Sequence, residues 1–338
     1  QARGTQIKSP AEYSSNVKAI ADGNGNYFPL PEGAEYKGEG GVNKVIQDNY
    51  YIANKNNVGV VVYIKGSEFV WVPVENPVFE ESKKSQMPTN DTKSKTYTPM
   101  AVYVNGNYKG ILYQGYKNSY YLMVSDENSN YLSNYYKEPD IVNSDKEENN
   151  AVNILNENLQ KQYNDMIESV LRYKGFYVAR YEAGIDKDGN IVFKDASKTE
   201  NNVITADASQ EATKTWYGLY SKIKEFTTED DSVVSSMIWG SQYDAMMNWM
   251  EKTGYDVTGT SFGYNDTTIT GSKDTDIMNN VYDIYGCHAE WTLENSNDYY
   301  RVYRGGNRYL SPIYRQDTGS SPNDKTSYIS SRATLYIK

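Results

Sequence analysis

The 338-residue chain holds one cysteine, Cys287, and one histidine, His288. A single thiol excludes an internal disulfide, so the fold must rest on its core, and no redox compartment follows from it. Phenylalanine is scarce, at 7 residues, and no stretch is apolar enough or long enough to span a membrane. Basic residues are outnumbered, 34 Lys and Arg against 44 Asp and Glu, for a formal net charge of −10. Such a chain has no long-range attraction for phosphate, which excludes nucleic acid as an expected partner. It also lacks a Lys/Arg-rich face for anionic lipid, so direct membrane insertion is not expected. No signal peptide is visible, and a start at Gln1 is expected of a shortened or processed chain.

What the chain has is tyrosine: 34 residues, against 7 Phe and 5 Trp. That excess places many hydroxyls at surfaces or in hydrogen bonds. Recognition surfaces use tyrosine in this way. Half-buried rings in a β-protein are the other reading, because tyrosine also favours strands.

Residues 1–26 are polar and weakly periodic, and read as a linker or loosely attached arm. Residues 27–338 then read as one domain with an insertion at about 78–150. The run from Gly59 to Val74 predicts two buried strands joined at Lys65-Gly66-Ser67, with Pro73 and Pro77 ending the pairing. In the polar stretch 78–150, Asn105-Gly106 marks a hairpin, and the terminal NSDKEENN reads as a solvated loop. Val152, Leu155, Leu159, Tyr163, Met166, Val170 and Leu171 recur at helical spacing up to Gly175. The strand FYVARYEA follows, with a turn at Asp188-Gly189-Asn190. A second helix is predicted over Ser209–Phe226, with Ala212, Trp216, Leu219, Ile223 and Phe226 inward. A third starts at Ser241, with Asp244 approximating a capping box, Met247, Trp249 and Met250 inward, and Gly254 as its stop. Helices on short irregular strands, followed by a loop-rich second half, give an α+β class.

Six collinear segments carry a resemblance: EFVWVPV from Glu68, GFYVARYEAG from Gly175, SMIWGSQYDAMMNWM from Ser236, NNVYDIYGCHAEWT from Asn279, RVYRGGNRY from Arg301 and SSRATLYIK from Ser330. Together, over roughly residues 60–338, they resemble the formylglycine-generating-enzyme/sulfatase-modifying domain, a variant of the C-type lectin fold. The family's Gly-Asn-Val-Trp-Glu-Trp-Thr stretch and RGG element are matched here at Glu290, Trp291, Arg304, Gly305 and Gly306. These five read as structural: a core ring, a buried hydrogen-bonded carboxylate, and glycines for close approach or positive φ. More narrowly, the pattern resembles Firmicute cell-surface and prophage proteins. Some of those have pilin-like N-terminal segments. Others are variable proteins of diversity-generating retroelements, whose altered residues lie in the last loops. The resemblance implies an extracellular place, on a bacterial cell surface or a phage virion.

Catalytic members of that family oxidise a cysteine with copper held by two thiolates, and one thiol cannot supply two. A second branch holds iron through histidines, of which this chain has one. Zinc hydrolysis fails on the same count. A Cys287–His288 dyad is disfavoured, because adjacent strand residues point to opposite faces; a surface or loop histidine beside a buried thiol is the expectation. Asp186-Lys-Asp188-Gly189-Asn190 has glycine fourth and Ser197 twelfth, which breaks the EF-hand pattern and leaves a hairpin turn. No cofactor is expected, save that members of this fold often hold a structural calcium, for which no ligands can be named. Carboxylates are too many for any pair to be singled out.

The segment Glu294–Ser331 remains. Tyr299, Tyr300, Tyr303, Asn307, Arg308, Tyr309, Tyr314, Arg315, Asp317, Asn323, Asp324 and Tyr328 mix rigid rings with adaptable polar groups, as binding loops do. The expectation is a non-catalytic binding or display protein, an adhesin or receptor-binding module that contacts a protein or glycan ligand on another surface. An oxidase or other metalloenzyme with an atypical site, and a pilin-like structural subunit, are the alternatives.

Overall fold

The computed structural model describes residues 13–21, 27–41, 58–74, 97–104, 107–116, 138–139, 141–147, 156–257, 267–295, 298–306, 311–313, 315–316 and 320–338. The chain opens with an antiparallel pair, β1 (Val17–Ala21) and β2 (Tyr27–Pro31). Tyr13 is buried and meets Tyr173 edge-on at 5.3 Å. The expected loose arm is therefore corrected for residues 13–21: strand pairing and a buried ring hold them to the body.

Next come β3 (Ala34–Tyr36), β4 (Val61–Ile64) and β5 (Ser67–Pro73). Lys65 and Gly66 both have positive φ, 51° and 76°, which a two-residue hairpin turn with primed geometry requires. Phe69, Val70, Trp71 and Val72 are all buried, as in a strand covered on both faces. β6 (Tyr97–Val104) and β7 (Asn107–Tyr116) pair across Val104↔Asn107 where the hairpin was predicted; Asn105-Gly106 itself lies outside the described residues, as does Pro77.

Helix α1 (Asn156–Tyr173) buries Leu159, Tyr163, Met166 and Val170, four of the seven residues predicted for its inner face; Val152 and Leu155 fall outside the described residues. It leads into β8 (Gly175–Ala179), then β9 (Gly184–Asp186), β10 (Ile191–Val192) and β11 (Val203–Thr205). Asp186 Oδ1 accepts the backbone N–H groups of Asp188 and Asn190, each at 2.9 Å, so that carboxylate closes its own turn.

Helix α2 covers Thr215–Glu225, six residues later than predicted, and Ala212 is exposed. The cause is local. Asp207 Oδ1 accepts the Ser209 N–H (2.8 Å) and the Asp207 carbonyl accepts the Thr213 hydroxyl (2.7 Å), which offers this segment an alternative to helix. Trp216, Leu219, Ile223 and Phe226 are buried as expected. After β12 (Val233–Met237), α3 (Gly240–Lys252) buries Met247, Trp249 and Met250. Gln242 accepts the Trp239 N–H at 3.2 Å, so it makes the N-terminal contact assigned to Asp244.

The last strands are β13 (Ile277–Met278), β14 (Val281–Tyr282), β15 (Ala289–Asn295), β16 (Arg301–Arg304), β17 (Ile329–Ser331) and β18 (Ala333–Ile337). Two sheets organise the molecule. An antiparallel six-stranded sheet runs β12-β18-β8-β5-β4-β3, with α1 against β8 and β18; there Ser169 Oγ accepts the Ile337 N–H at 2.8 Å. A three-stranded sheet runs β16-β15-β17, with β17 parallel to β15 and β16 antiparallel. The molecule is thus mixed α+β with few helices. All six collinear sequence segments contribute to these two sheets and to α3.

One predicted loop is corrected. Within NSDKEENN, Asn143–Lys146 forms a 3-10 turn with Ser144 and Asp145 buried. The Tyr217 hydroxyl donates to Asp145 Oδ1 at 2.7 Å, and Arg301 pairs with the other oxygen. A charged segment reads as solvated in sequence, but here its acid is buried against a cation.

Candidate functional site

The three-stranded sheet carries most of the expected contact segment, and it is covered on both faces. On β16, Arg301 and Arg304 differ by an odd number of positions and so face opposite ways. Arg301 lies over the Trp216 ring of α2 (4.2 Å) and pairs with Asp145. Arg304 lies over the Tyr243 ring of α3 (4.6 Å) and pairs with Asp244 Oδ1 (2.8 Å). Arg315 pairs with Asp244 and with Glu294 Oε1 (2.8 Å), and Arg332 with Glu290 Oε1 (2.6 Å). All four guanidinium groups are buried.

Two expected contact residues are corrected by this arrangement. Arg315, at 1% exposure, is an internal cation. Tyr303 is buried, edge-on to Trp291 at 5.3 Å, and its backbone bridges Gln316. Trp291 and Glu290 are buried, and the Arg332 guanidinium holds the Glu290 carboxylate. Gly305 and Gly306 have φ of 68° and 59°. A Cβ on Gly306 would stand 2.1 Å from the Ala289 nitrogen, so both the conformation and the close approach demand glycine.

Five of the expected contact residues are exposed: Tyr299, Tyr300, Asn323, Asp324 and Tyr328. Asn307, Arg308, Tyr309, Tyr314 and Asp317 lie outside the described residues. The exposed rings are held from behind. The Asp298 carbonyl accepts the Asn143 N–H (2.7 Å), and the Tyr328 carbonyl accepts the Ala289 N–H (3.0 Å). The Tyr328 hydroxyl shares a hydrogen bond with Ser320 Oγ (2.8 Å). They do not form one cluster. Asn295 pairs with Arg301, so Tyr299 and Tyr300 sit at one end of β15, whereas Ala289 pairs with Ile329, so Tyr328 sits at the other. Six residue steps separate these ends, or about 20 Å of strand.

Cys287 and His288 differ from their sequence reading. His288 is buried, against the expectation of a surface or loop histidine, and Cys287 is partly buried. They precede β15 instead of lying within it, and Cys287 has a φ of 64°. Its Sγ therefore comes 3.4 Å from His288 Nδ1. Glu182, which follows β8 and is fully buried, accepts the His288 backbone N–H at 3.0 Å and lies 2.8 Å from Nδ1. Asp207 Oδ2 is 3.8 Å from Nε2. Burial opposes a charge on His288, but Glu182, Asp207 and Asp283 together hold its pKa above the ordinary value. Burial, then Glu182 and Asp283, push the Cys287 thiol far up. Nucleophilic catalysis needs one ring nitrogen for the sulfur and the other for an orienting group. Here sulfur and carboxylate converge on the same nitrogen, and burial with the neighbouring carboxylates disfavours the thiolate. The cluster is thus unsuited to act as a nucleophile and base. No sequence signal placed Glu182 or Asp207 beside His288, because each is remote in the chain.

A separate open groove of about 520 Å³ lies along the edge strand β3, lined by Lys37, Tyr63, Lys65, Glu68, Lys194 and neighbours. Lysine and glutamate alternate around it, and Lys65 is engaged by Asp231 at 2.6 Å.

No family model and no curated protein matches this chain. Among solved structures, the "Major Tropism Determinant I1 Variant" is similar to it with 14% identity and a TM-score of 0.33. The "Major Tropism Determinant U1 Variant" is similar with 14% identity and a TM-score of 0.31. Each likeness covers 48% of this chain and 51% of the other, so the chain spans about half the length of either.

Proposed function

We propose that this chain is a non-catalytic binding protein, an adhesin or receptor-binding module of a cell surface or phage virion. Its C-type-lectin-like framework presents loops at the two ends of the β16-β15-β17 sheet to a protein or glycan. One observation carries the reading. Among the described residues, three of the five exposed large hydrophobic side chains are Tyr299, Tyr300 and Tyr328, at 64%, 36% and 54% exposure. Each stands on backbone anchored to the core, so little ordering remains to oppose association. The buried arginine–carboxylate pairs beneath would keep the platform fixed under substitution of the rim residues, as a retroelement-diversified surface requires. The oxidase reading fails on composition, since its copper needs two thiolates and the chain has one cysteine.

The test is binding of the labelled chain to candidate host cells, read by flow cytometry, alongside a thermal melt. Replacing Tyr299, Tyr300 and Tyr328 together by alanine is expected to abolish most binding, since a truncated aromatic anchor costs about 2 kcal/mol or more. The melting temperature should move by no more than a few degrees. Undiminished binding by this variant would refute the proposal.

A further inference from the structure

We propose that Cys287, His288 and Glu182 form a zinc site that ties the segment after β8 to the segment before β15. The ligand-capable atoms, Cys287 Sγ, His288 Nδ1 and a Glu182 carboxylate oxygen, all lie within 4.8 Å of one another. Around a tetrahedral zinc ion with ordinary bond lengths, such donors stand about 3.4–3.6 Å apart. The Sγ–Nδ1 separation is already 3.4 Å, and the Nδ1–Oε2 separation is 2.8 Å. Zinc thus requires that the carboxylate withdraw by about half an ångström from the imidazole and settle at a similar distance from Sγ, which already lies within 4.8 Å of it.

The donor set favours zinc over other divalent ions. One sulfur, one imidazole and one carboxylate suit a borderline-soft ion, whereas calcium and magnesium want oxygen alone. Three protein ligands leave a fourth position for water, and Cys287, only partly buried, gives that position a route to solvent. The surroundings fit as well. A metal-bound histidine usually gives its outer N–H to a carboxylate, which fixes the ring. His288 Nε2 has no hydrogen-bond partner, its ring is buried, and Asp207 Oδ2 stands 3.8 Å away on that side. Among the described residues, His288 is the sole ion-pair partner of Glu182, so no lysine or arginine competes for the carboxylate. Binding would release the thiol proton and the Nδ1 proton to solvent, leaving thiolate and neutral imidazole as ligands. The ion would link residues 106 positions apart in the chain.

The purified full chain, stripped with chelator, is titrated with Zn2+ and separately with Co2+. Zn2+ is expected to raise the melting temperature. Co2+ should give the near-ultraviolet sulfur-to-cobalt charge-transfer band that reports a thiolate ligand. Zn2+ should also slow alkylation of Cys287 by tenfold or more, in proportion to site occupancy. Cys287→Ser should lose the band and the thermal shift. Asp207→Asn, which keeps the oxygen used by Ser209, should weaken Zn2+ affinity about ten- to a hundredfold as a positioning residue. The spectrum and the alkylation rate of the unaltered chain need no variant to fold. A colourless Co2+ complex, unchanged alkylation, or a Zn2+ shift retained in Cys287→Ser would each overturn the assignment.

Discussion

A residue's polarity does not give its depth in this protein. Arg315 has the look of a loop contact, yet it lies between Asp244 and Glu294 with 1% exposure. A guanidinium can be buried when a carboxylate matches its fork and further hydrogen bonds satisfy it. Arg332 meets those terms with both oxygens of Glu290 and with the carbonyls of Ala179 and Tyr282 (2.8 and 2.6 Å). Removing one partner strands the other charge in the interior. Arg315→Ala is accordingly expected to cost about 3–5 kcal/mol, read from chemical denaturation. A loss under about 1 kcal/mol would place Arg315 at the surface, where exposed pairs contribute that little.

At the scale of elements, segments that read as loose are fastened by a few specific groups. The turn Asn143–Lys146 carries Asp145 to Arg301, and Glu138 Oε1 accepts the Ser241 N–H (3.0 Å) at the start of α3. Glu138 shares that place with Glu294, and burial, then Glu294, push its pKa from 4.5 to about 8. The folded state therefore holds a proton that the unfolded chain releases. This contribution to stability is complete below pH 4.5 and declines as pH rises toward about 8. Thermal melts from mildly acidic to alkaline pH are expected to show that decline, and Glu138→Gln should flatten it. An unaltered pH profile in Glu138→Gln would mean that the carboxyl is solvated. The helices α1 and α3 were legible because their apolar spacing reaches the core. The start of α2 was not, because side-chain hydrogen bonds from Asp207 and Thr213 decide it and leave no periodic trace.

For the whole molecule, the position of the exposed tyrosines sets the size of any ligand. About 20 Å of β15 lies between the Tyr299–Tyr300 end and the Tyr328 end, so one sugar ring cannot touch both. A protein surface or an extended glycan can. Alanine at Tyr328 and the pair of alanines at Tyr299 and Tyr300 share no contacts and should act additively on binding within about 0.5 kcal/mol. A larger coupling energy in the double-mutant cycle would indicate that the two ends communicate through the sheet.

The sequence by itself determined the α+β class, the β4–β5 turn at Lys65-Gly66, the inward faces of α1 and α3, and the need for glycine at 305 and 306. Each of these rests on local conformation or on the period of apolar residues, both of which adjacent positions encode. It also determined that two thiolates cannot meet in this chain. The tertiary structure alone decided which charges are internal, and that Cys287, His288 and Glu182 converge on one point. Such meetings join residues from 21 to 156 positions apart, and they depend on which faces the packed elements cover. Charge patterning along the chain records neither.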